Sequence, residues 1–402
     1  MICIFNVTPE RSFLVKVRLI YFILFYVFIY AGNAVYGTFL PVYFQDIGFD
    51  SIQIGTILSL GPLVAILAQP VWGALGDRAR TKNMILLILL AGSGIVALLY
   101  PLSTVFLYLL MMICIFTFFQ TSIFAMSDTI TLEVLDRQKL QSFGLIRMGG
   151  TIGFAVMSIV FGAIAQKHIG SLFYVYALIM VICFLLVLKF PVIEGHQSKG
   201  SGKVSITVLF RNKLLMLYLG FSFILQITLG YYYAFFPMYF NGLGGDNLLL
   251  GWSMVISSLS EVPFLLFANR IFQRVKIHYI LLVAAVATVI RWYLFSLIGS
   301  PYWALPVQAL HGLIFIVLAV TMAHYINQNV PKELKASGQT LNGLLSLGAA
   351  RIIGSFAGGI ATHQFGMRKV FMYNSILVLA CTLVFGFIVW RMRRREDAPV
   401  TG

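Results

Sequence analysis

Residues 36–55 read YGTFLPVYFQDIGFDSIQIG, and residues 232–251 read YYAFFPMYFNGLGGDNLLLG. At this constant offset of 196 positions several residues are identical: Tyr36 and Tyr232, Pro41 and Pro237, Tyr43 and Tyr239, Phe44 and Phe240, Gly48 and Gly244, Asp50 and Asp246, and Gly55 and Gly251. Two further pairs of segments keep the same offset: 76–82 with 272–278, and 162–170 with 358–366. Matches at three separated places in one register indicate that the chain consists of two parallel repeats.

The composition is typical of a protein embedded in lipid. Of 402 residues, 60% are hydrophobic and only 10% are charged, and the mean hydropathy is +0.93. We therefore predict an all-α integral membrane protein, with twelve transmembrane helices in two pseudo-symmetric six-helix bundles. The predicted spans are 18–43, 51–75, 83–101, 104–134, 139–166, 169–191, 212–242, 246–270, 279–299, 301–329, 334–365 and 368–391.

The longest polar interruption, 194-EGHQSKGSGKVS-205, is rich in Gly, Ser and Lys and suits a linker between the two halves. Domain boundaries follow from it. We predict a cytoplasmic N-terminal tail at 1–17, a six-helix bundle at 18–191, a cytoplasmic linker at 192–211, a second bundle at 212–391, and a cytoplasmic C-terminal tail at 392–402.

The formal net charge of +15 is explained by topology. Most of the 28 Lys and Arg residues fall in the tails and in alternate loops on one side of the predicted membrane, and only Lys167, Arg368 and Lys369 fall on the other. By the positive-inside rule both termini are cytoplasmic, in a plasma membrane that we expect to be a bacterial cytoplasmic membrane. No basic patch interleaved with aromatic residues suggests nucleic-acid binding.

Motifs for catalysis and metal binding are missing from the sequence. The four cysteines are scattered without a CxxC pair, so neither a disulfide framework nor a metal site is expected. There is no GxSxG motif, no HxxxH-like spacing and no GxxxxGK[ST] motif. We therefore expect neither an intramembrane enzyme nor an ATP-driven pump, and no cofactor.

The loop after the second predicted span reads 73-GALGDRARTKN-83. We expect a tight turn at Gly73 and Gly76, with Asp77 at a helix end and Arg78 beside it as a gating loop. The alternative is a basic loop that only fixes topology. The pattern resembles the signature of the major facilitator superfamily, although Arg80 stands where that family usually has Gly.

Further segments resemble the phenylpropionate-permease-like branch of that superfamily: 127-SDTI-130, 143-FGLIRMGGTIGF-154, 291-RWYLF-295, 309-ALHGLIF-315 and 331-PKELKASGQTL-341. This branch is related to nucleoside and oligosaccharide proton symporters of the lactose-permease type. The resemblance covers roughly residues 20–390. It implies the major facilitator fold, alternating access, and a proton as coupling ion, for substrates that include sugars, nucleosides and aromatic acids.

A charge in the centre of a membrane helix needs a partner or a hydrated cavity. Asp128 and Arg147 lie at equal distances along the chain from the loop that joins the predicted fourth and fifth helices. At 1.5 Å per residue both lie about 14 Å along an antiparallel hairpin. We therefore predict that they face each other in the cavity, for proton coupling or, alternatively, only for packing.

Glu261 and Arg291 form a comparable pair, because each lies at a similar distance from the loop near Lys276. A carboxylate that loses its arginine partner in a dry site takes up a proton, and this can couple protonation to conformation. Glu261 is the first candidate for the proton carrier and Asp128 the second. A pair that only fixes packing is again the alternative.

Two histidines of the predicted tenth helix, His311 and His324, are candidates for a proton relay or, alternatively, hydrogen-bonded core residues. His324 lies 196 positions after Asp128 and so occupies its equivalent place in the repeat. The lactose-permease type carries a Glu three residues after the histidine that corresponds to His311. This chain has Ile314 there, so that arrangement cannot be copied.

Arg351 has no obvious acidic partner in the sequence, which favours an anionic substrate unless the residue snorkels or bonds to carbonyls. Candidate substrate-binding residues are Asn33, Tyr36, Gln226, Tyr232, Gln339 and Asn342. The aromatic run 231-YYYAFF-236 could instead form an interfacial belt, and the amides could be packing contacts. Gly149, Gly153, Gly354 and Gly358 are expected to permit close helix packing.

The sequence therefore predicts a secondary transporter, with a small-molecule substrate and the lipid bilayer as partners, that functions as a monomer. Proton-coupled symport of a sugar, a nucleoside or an aromatic or other organic acid is the first hypothesis. A proton-coupled efflux antiporter for drugs or metabolites is the alternative on the same fold.

Overall fold

The computed structural model describes residues 9–138, 143–194, 207–331 and 334–396. Within them the chain forms helices joined by turns, in this order: α1 (Pro9–Asp46), α2 (Ser51–Arg78), α3 (Lys82–Leu99), α4 (Phe106–Gln120), α5 (Ile123–Arg137), α6 (Phe143–Ala165), α7 (Leu172–Val187), α8 (Thr207–Arg211), α9 (Lys213–Gly242), α10 (Asn247–Leu259), α11 (Val262–Arg274), α12 (Ile277–Leu297), α13 (Pro301–Gln308), α14 (Phe315–Asn329), α15 (Lys335–Gly343), α16 (Ala350–Phe365) and α17 (Met367–Glu396).

Among the described residues, twelve helical segments are long and apolar enough to cross a membrane, which confirms the predicted number. The first runs over Leu19–Asp46 and the last over Met367–Met392. Helix α1 already begins at Pro9, inside the predicted N-terminal tail, and α8 lies inside the predicted linker. Residues 195–206 of that linker and 397–402 of the C-terminal tail lie outside the described residues.

The repeat seen in the sequence has the same local structure in both copies. Gly48 and Gly244 follow the first helix of each half and have φ values of 90° and 87°, a region that favours glycine. Two residues later an aspartate accepts from a backbone N–H at the start of the next helix, Asp50 from Gln53 at 2.8 Å and Asp246 from Leu249 at 2.7 Å. The identities at offset 196 therefore encode one turn and one helix cap, used twice.

The described residues belong to two compact units, one from 1–40 and 64–199 and the other from 41–63 and 200–402. Close helix packing through glycine occurs in each, as predicted. In the first unit, a Cβ at Gly153 of α6 would lie 2.0 Å from the backbone oxygen of Val27 in α1. In the second unit, a Cβ at Gly354 of α16 would lie 2.3 Å from the backbone oxygen of Ile227 in α9. Only glycine lets these backbones come so close.

Four spans are interrupted where the sequence predicts continuous helices. A turn separates α4 from α5, and residues 260–261 separate α10 from α11. A 3₁₀ segment (Ala309–Leu313) separates α13 from α14. A π-helical segment (Leu344–Ala349) precedes α16. Two of the interruptions meet, because the Gly312 N–H donates to Ser260 Oγ at 2.8 Å. Irregular backbone at membrane depth is tolerated where protein buries it or where it lines a cavity.

The predicted tight turn at Gly73 and Gly76 is wrong. Helix α2 continues through both glycines and ends at Arg78. A Cβ at Gly76 would lie 2.5 Å from the terminal methyl of Met126, so this glycine serves packing against α5. Asp77 lies in the last turn of α2, as expected for a carboxylate at a helix end, and both it and Arg78 are exposed.

Candidate functional site

In the first unit, Asp128 of α5 is held by a tyrosine of α1. The Tyr26 hydroxyl donates a short hydrogen bond to Asp128 Oδ1 and also lies 3.5 Å from Thr131 Oγ1. The Tyr26 ring is fully buried, whereas Asp128 is half-buried. The sequence did not predict Tyr26 as a site residue.

Arg147 of α6 packs on the same face of α1. Its Cζ lies 4.0 Å from the centroid of the Tyr30 ring, a cation–π contact, and the Tyr26 and Tyr30 rings stack at 6.4 Å. Asp128 and Arg147 interact electrostatically, but no ion pair within 4.0 Å joins them in the part of the chain that the structure describes. The predicted pair therefore lies close together without a direct ion pair, since Tyr26 donates to Asp128 and the Tyr30 ring packs on Arg147.

In the second unit, Arg291 of α12 is fully buried. It donates a short hydrogen bond to Gln308 Oε1, which also accepts from the Tyr232 hydroxyl at 2.8 Å. The guanidinium Cζ lies 4.3 Å from the Tyr232 ring centroid. An amide oxygen and aromatic faces thus surround this cation, and Gln308 in turn donates to Ser253 Oγ at 3.4 Å.

His311 lies between Arg291 and Glu261. Arg291 Nη1 is 2.8 Å from His311 Nδ1, and His311 Nε2 is 3.5 Å from Glu261 Oε1 and 3.2 Å from the Tyr233 hydroxyl. The predicted direct pair of Glu261 and Arg291 is therefore replaced by a chain of three groups. His311 comes from the 3₁₀ segment that interrupts the tenth span, and Glu261 from the break between α10 and α11.

The contact with Arg291 determines the tautomer of His311. A guanidinium N–H can only donate, so Nδ1 must accept through its lone pair, and the proton of the neutral ring resides on Nε2. That N–H points toward the carboxylate of Glu261 and the hydroxyl of Tyr233. A second proton on Nδ1 would place two donors face to face, so His311 stays neutral while Arg291 remains in contact.

Arg351 of α16 packs against the same group of residues. Its Cζ lies 3.9 Å from the centroid of the Tyr233 ring, and its buried Nε has no hydrogen-bond partner in the described structure. Gln226 of α9 is also buried, and its Oε1 likewise has no partner there. The second unit thus contains a cluster of Glu261, His311 and two arginines around Tyr232 and Tyr233.

For the other predicted site residues, the described structure records no contact with this cluster. The hydroxyl of Tyr36 is 3.0 Å from that of Tyr100, and its ring stacks on Phe116 at 4.1 Å, within the first unit. Gln339 donates to the backbone oxygen of Ala323 at 2.9 Å, Ser346 donates to Asn342 Oδ1 at 3.4 Å, and Asn33 lies half-buried in α1. His324 stacks on Phe272 with ring centroids 4.0 Å apart.

The predicted gating loop adjoins a cluster of charged residues that the sequence did not predict. Lys82 Nζ lies 3.0 Å from Glu133 Oε2, and Arg137 lies 2.8 Å from Glu133 Oε1. Asp77 and Gly73 line a cavity of about 200 Å³ beside Lys82. Residues from α2, α3 and α5 therefore meet at this end of the first unit.

Three important residues were missed by sequence reasoning: Tyr26, Tyr233 and Gln308. Tyr26 and Tyr30 are four residues apart on α1, a spacing that places both on one helix face. Tyr233 belongs to the run 231-YYYAFF-236, in which the sequence does not distinguish it from its neighbours. Gln308 carried no signal, since a single amide in a hydrophobic segment is common in packed helices.

The sequence matches the model of the MFS_1-like family over residues 19–373. A maltose permease of Geobacillus stearothermophilus is 24% identical over 379 residues, which cover 93% of this chain and 94% of the permease. The multidrug resistance protein MdtG of Escherichia fergusonii is 23% identical over 387 residues, which cover 90% of this chain and 91% of that protein.

The crystal structure of the nucleoside transporter NupG has the same fold, with a TM-score of 0.83 at 19% identity, and the match covers 92% of this chain and 98% of NupG. Both the family match and the structural match extend over most of the chain, and the described residues contain twelve candidate spans. This chain therefore belongs to the MFS_1-like family and is a transporter of the major facilitator superfamily.

Proposed function

We propose that this transporter is a symporter that moves a small organic solute together with protons by alternating access. The observation that carries the proposal is the contact chain from Glu261 through His311 to the fully buried Arg291. Buried ion groups stabilise a fold poorly in comparison with apolar side chains. Ionisable groups inside a membrane protein therefore favour a functional role.

Glu261 is the proton carrier in this proposal. Its side chain is 22% exposed, whereas Arg291 is fully buried, which makes Glu261 the more accessible of the two groups. A charged Glu261 attracts the Nε2–H of His311 and, beyond it, the guanidinium of Arg291. A protonated Glu261 loses that attraction, so protonation weakens the link between the two broken spans that supply Glu261 and His311.

Asp128 is the second proton-coupling group. It lies in the other unit, and its hydrogen bond from Tyr26 can be kept when the carboxyl is neutral, because a hydroxyl can donate to either form. Arg147, on Tyr30, supplies the nearby positive charge. Each half of the transporter then contributes one carboxyl group and one arginine to coupling.

The proposed solutes are sugars, nucleosides and aromatic or other organic acids. Tyr232 and Tyr233 offer aromatic faces, and Arg291 and Arg351 outnumber the single carboxylate Glu261 in the cluster. This excess of positive charge favours a solute with a carboxylate or phosphate group. The similarity to a maltose permease and to a nucleoside transporter favours sugars and nucleosides.

We further propose that the transporter acts as a monomer in the plasma membrane, with both termini in the cytoplasm and with the proton as the only coupling ion. The distribution of Lys and Arg among the loops supports this orientation. No prosthetic group is needed for the proposed chemistry, because the carboxyl groups of Glu261 and Asp128 carry the proton.

Efflux by proton antiport is the second candidate, because the chain is also similar to MdtG. A thermal-shift screen with sugars, nucleosides and aromatic acids first identifies a ligand, since a solute that binds the native state raises its melting temperature. Proteoliposomes with an imposed pH gradient then separate the two functions. Accumulation of that solute when the outside is acidic supports symport, and accumulation when the inside is acidic supports antiport.

Glu261→Gln is expected to abolish accumulation driven by a pH gradient while solute exchange between equal pH values continues. The amide keeps the size of the side chain but cannot bind or release a proton. Glu133→Gln is the matched control, because Glu133 is also a paired carboxylate but lies with Lys82 and Arg137 in the first unit. Undiminished accumulation by Glu261→Gln would exclude this residue as proton carrier.

A further inference from the structure

A second polar cavity lies wholly within the second unit, away from the Arg291 cluster. Its volume is about 360 Å³, and it lies among the first turns of α9 and α12 and the last turns of α11, α14 and α17. Arg291, His311 and Glu261 do not line it. His324, which the sequence suggested as a proton carrier, lines this cavity instead.

The lining of this cavity has the composition of an anion site. Lys276, His278 and His324 bring one cation and two imidazoles to it, and Gln328 and Asn329 add amide groups. None of the described lining residues has a carboxylate. The 21-residue helix α12 begins at Ile277, directly after Lys276, so the positive end of its dipole also lies at the cavity.

Two of these groups, His324 and Lys276, keep donors that the described structure does not use. The His324 ring stacks on Phe272 with an interplanar angle of 12°, which orients the ring but leaves both nitrogens at its edge. Within residues 207–331 and 334–396, the structure records no hydrogen bond for His324 and no ion pair for Lys276. Their donor capacity is therefore available to a ligand.

The position of the cavity indicates the source of the anion. Lys276 directly precedes the span Ile277–Leu297, and Asn329 ends the span Pro301–Asn329, so the polar groups lie at a membrane surface. Apolar residues complete the wall, among them Val275, which is 38% exposed, and Met392, which is 37% exposed. The predicted topology places this surface on the cytoplasmic side, where anionic lipids concentrate.

We propose that this cavity binds a phosphate group, supplied by the headgroup of an anionic phospholipid. Lys276, His324 and His278 contact the phosphate, and the exposed apolar residues at the rim contact the first part of the acyl chains. Basic pockets between transmembrane helices on the cytoplasmic side are suited to such headgroups. Free phosphate has the same chemistry but makes no use of the apolar wall.

The test measures the melting temperature of the full-length purified protein in detergent during titration with phosphatidylglycerol, diacylglycerol or inorganic phosphate. Phosphatidylglycerol is expected to raise the melting temperature, and diacylglycerol, which lacks the phosphate, is not. Lys276→Gln is expected to raise the apparent Kd for phosphatidylglycerol about tenfold, because one charge-assisted hydrogen bond is lost.

Lys213→Gln is the matched control, because Lys213 is exposed at the start of α9 but does not line the cavity. Titration of Lys213→Gln with phosphatidylglycerol is expected to give the same apparent Kd as titration of the wild type. His324→Gln provides a second test if Lys276→Gln does not fold. If inorganic phosphate raises the melting temperature as much as phosphatidylglycerol does, and the variants lose this response, the site binds free phosphate instead of lipid.

Three results would overturn the proposal. The first is a response to phosphatidylglycerol that both Lys276→Gln and His324→Gln retain, since the phosphate would then bind elsewhere. The second is an equal response to diacylglycerol, since the apolar chains alone would then account for it. The third is the absence of any response to phosphatidylglycerol and to inorganic phosphate.

Discussion

Arg291 shows how a single cation is accommodated inside a lipid-embedded bundle. It is fully buried, yet its hydrogen bonds go to Gln308 Oε1 and His311 Nδ1 instead of a carboxylate. These neutral acceptors and the ring face of Tyr232 compensate the Arg291 guanidinium for its lost hydration. Because they carry no negative charge, the site keeps a net positive charge. That residual charge is available for a substrate or for a charged Glu261.

Gln308→Leu is expected to lower the free energy of unfolding by about 2–4 kcal/mol, because it leaves Nη2 of the buried Arg291 and the Tyr232 hydroxyl without an acceptor, while only His311 still accepts from Arg291. Gln226→Leu makes the same change at another buried glutamine, whose Oε1 has no described partner. It should be near neutral for stability. Chemical denaturation in detergent micelles measures both, and equal effects would show that Gln308 does not hold Arg291.

Tyr26→Phe removes the hydrogen bond to Asp128 and keeps the ring in place. We expect a loss of about 1–3 kcal/mol in unfolding free energy, since the half-buried carboxyl group loses its donor. Tyr30→Phe is the control, because the described contact of Tyr30 with Arg147 is made by the ring. If thermal melting shows both variants equally stable, the hydroxyl of Tyr26 does not anchor Asp128.

At the scale of the element, glycines determine how closely helices pack. Gly153 brings α6 against the backbone of α1, and Gly354 brings α16 against α9. These are the first and fifth spans of one half and the seventh and eleventh of the other, so the same pair of helices is in close contact in each repeat. The predicted role of small residues is confirmed, but their partners had to be read from the structure.

Gly153→Ala is expected to destabilise the protein by about 1–3 kcal/mol or more, because its Cβ would lie 2.0 Å from the Val27 backbone oxygen. Gly144→Ala is the control in the same helix, since no atom lies within 4 Å of a Cβ there. It should be neutral or stabilise by up to about 1 kcal/mol. If the two variants have the same melting temperature, this packing argument is contradicted.

The interruptions of the helices could not be predicted from hydropathy. A hydropathy window finds one continuous span in each region, although residues 259–263 contain Ser260, Glu261 and Pro263 and residues 309–314 contain His311 and Gly312. Pro263, in the first turn of α11, is a local signal for one break. The contact between Gly312 and Ser260, in contrast, joins residues of two different spans. Local sequence cannot encode such a contact, because it forms only when the two helices pack.

For the whole molecule, the distribution of the +15 charge leads to a prediction of topology. In a variant without the native cysteines, Gly299→Cys lies in the exposed turn after α12 and should react with a membrane-impermeant maleimide in intact cells. Gln273→Cys, exposed near the end of α11, should react only after permeabilisation. The reverse labelling pattern would invert the orientation of the protein and place the proposed phosphate site outside.

By itself, the sequence determined the properties that depend on composition and on local pattern. Twelve spans follow from hydropathy, and the repeated turn follows from Gly48, Gly244 and the aspartates two residues after them. Both result from interactions within a short segment or with a uniform solvent. Equal spacing from a loop also identified the depth at which Asp128 and Arg147 come near one another.

Only the tertiary structure decided which groups are in contact. His311 lies between Glu261 and Arg291, Tyr26 holds Asp128, and His324 belongs to a separate cavity. Depth along a helix can be counted from the sequence, but the direction of a side chain depends on helix rotation and on breaks in the backbone. Those are set by packing among several helices at once, where a glycine or a 3₁₀ turn in one span repositions the residues of another.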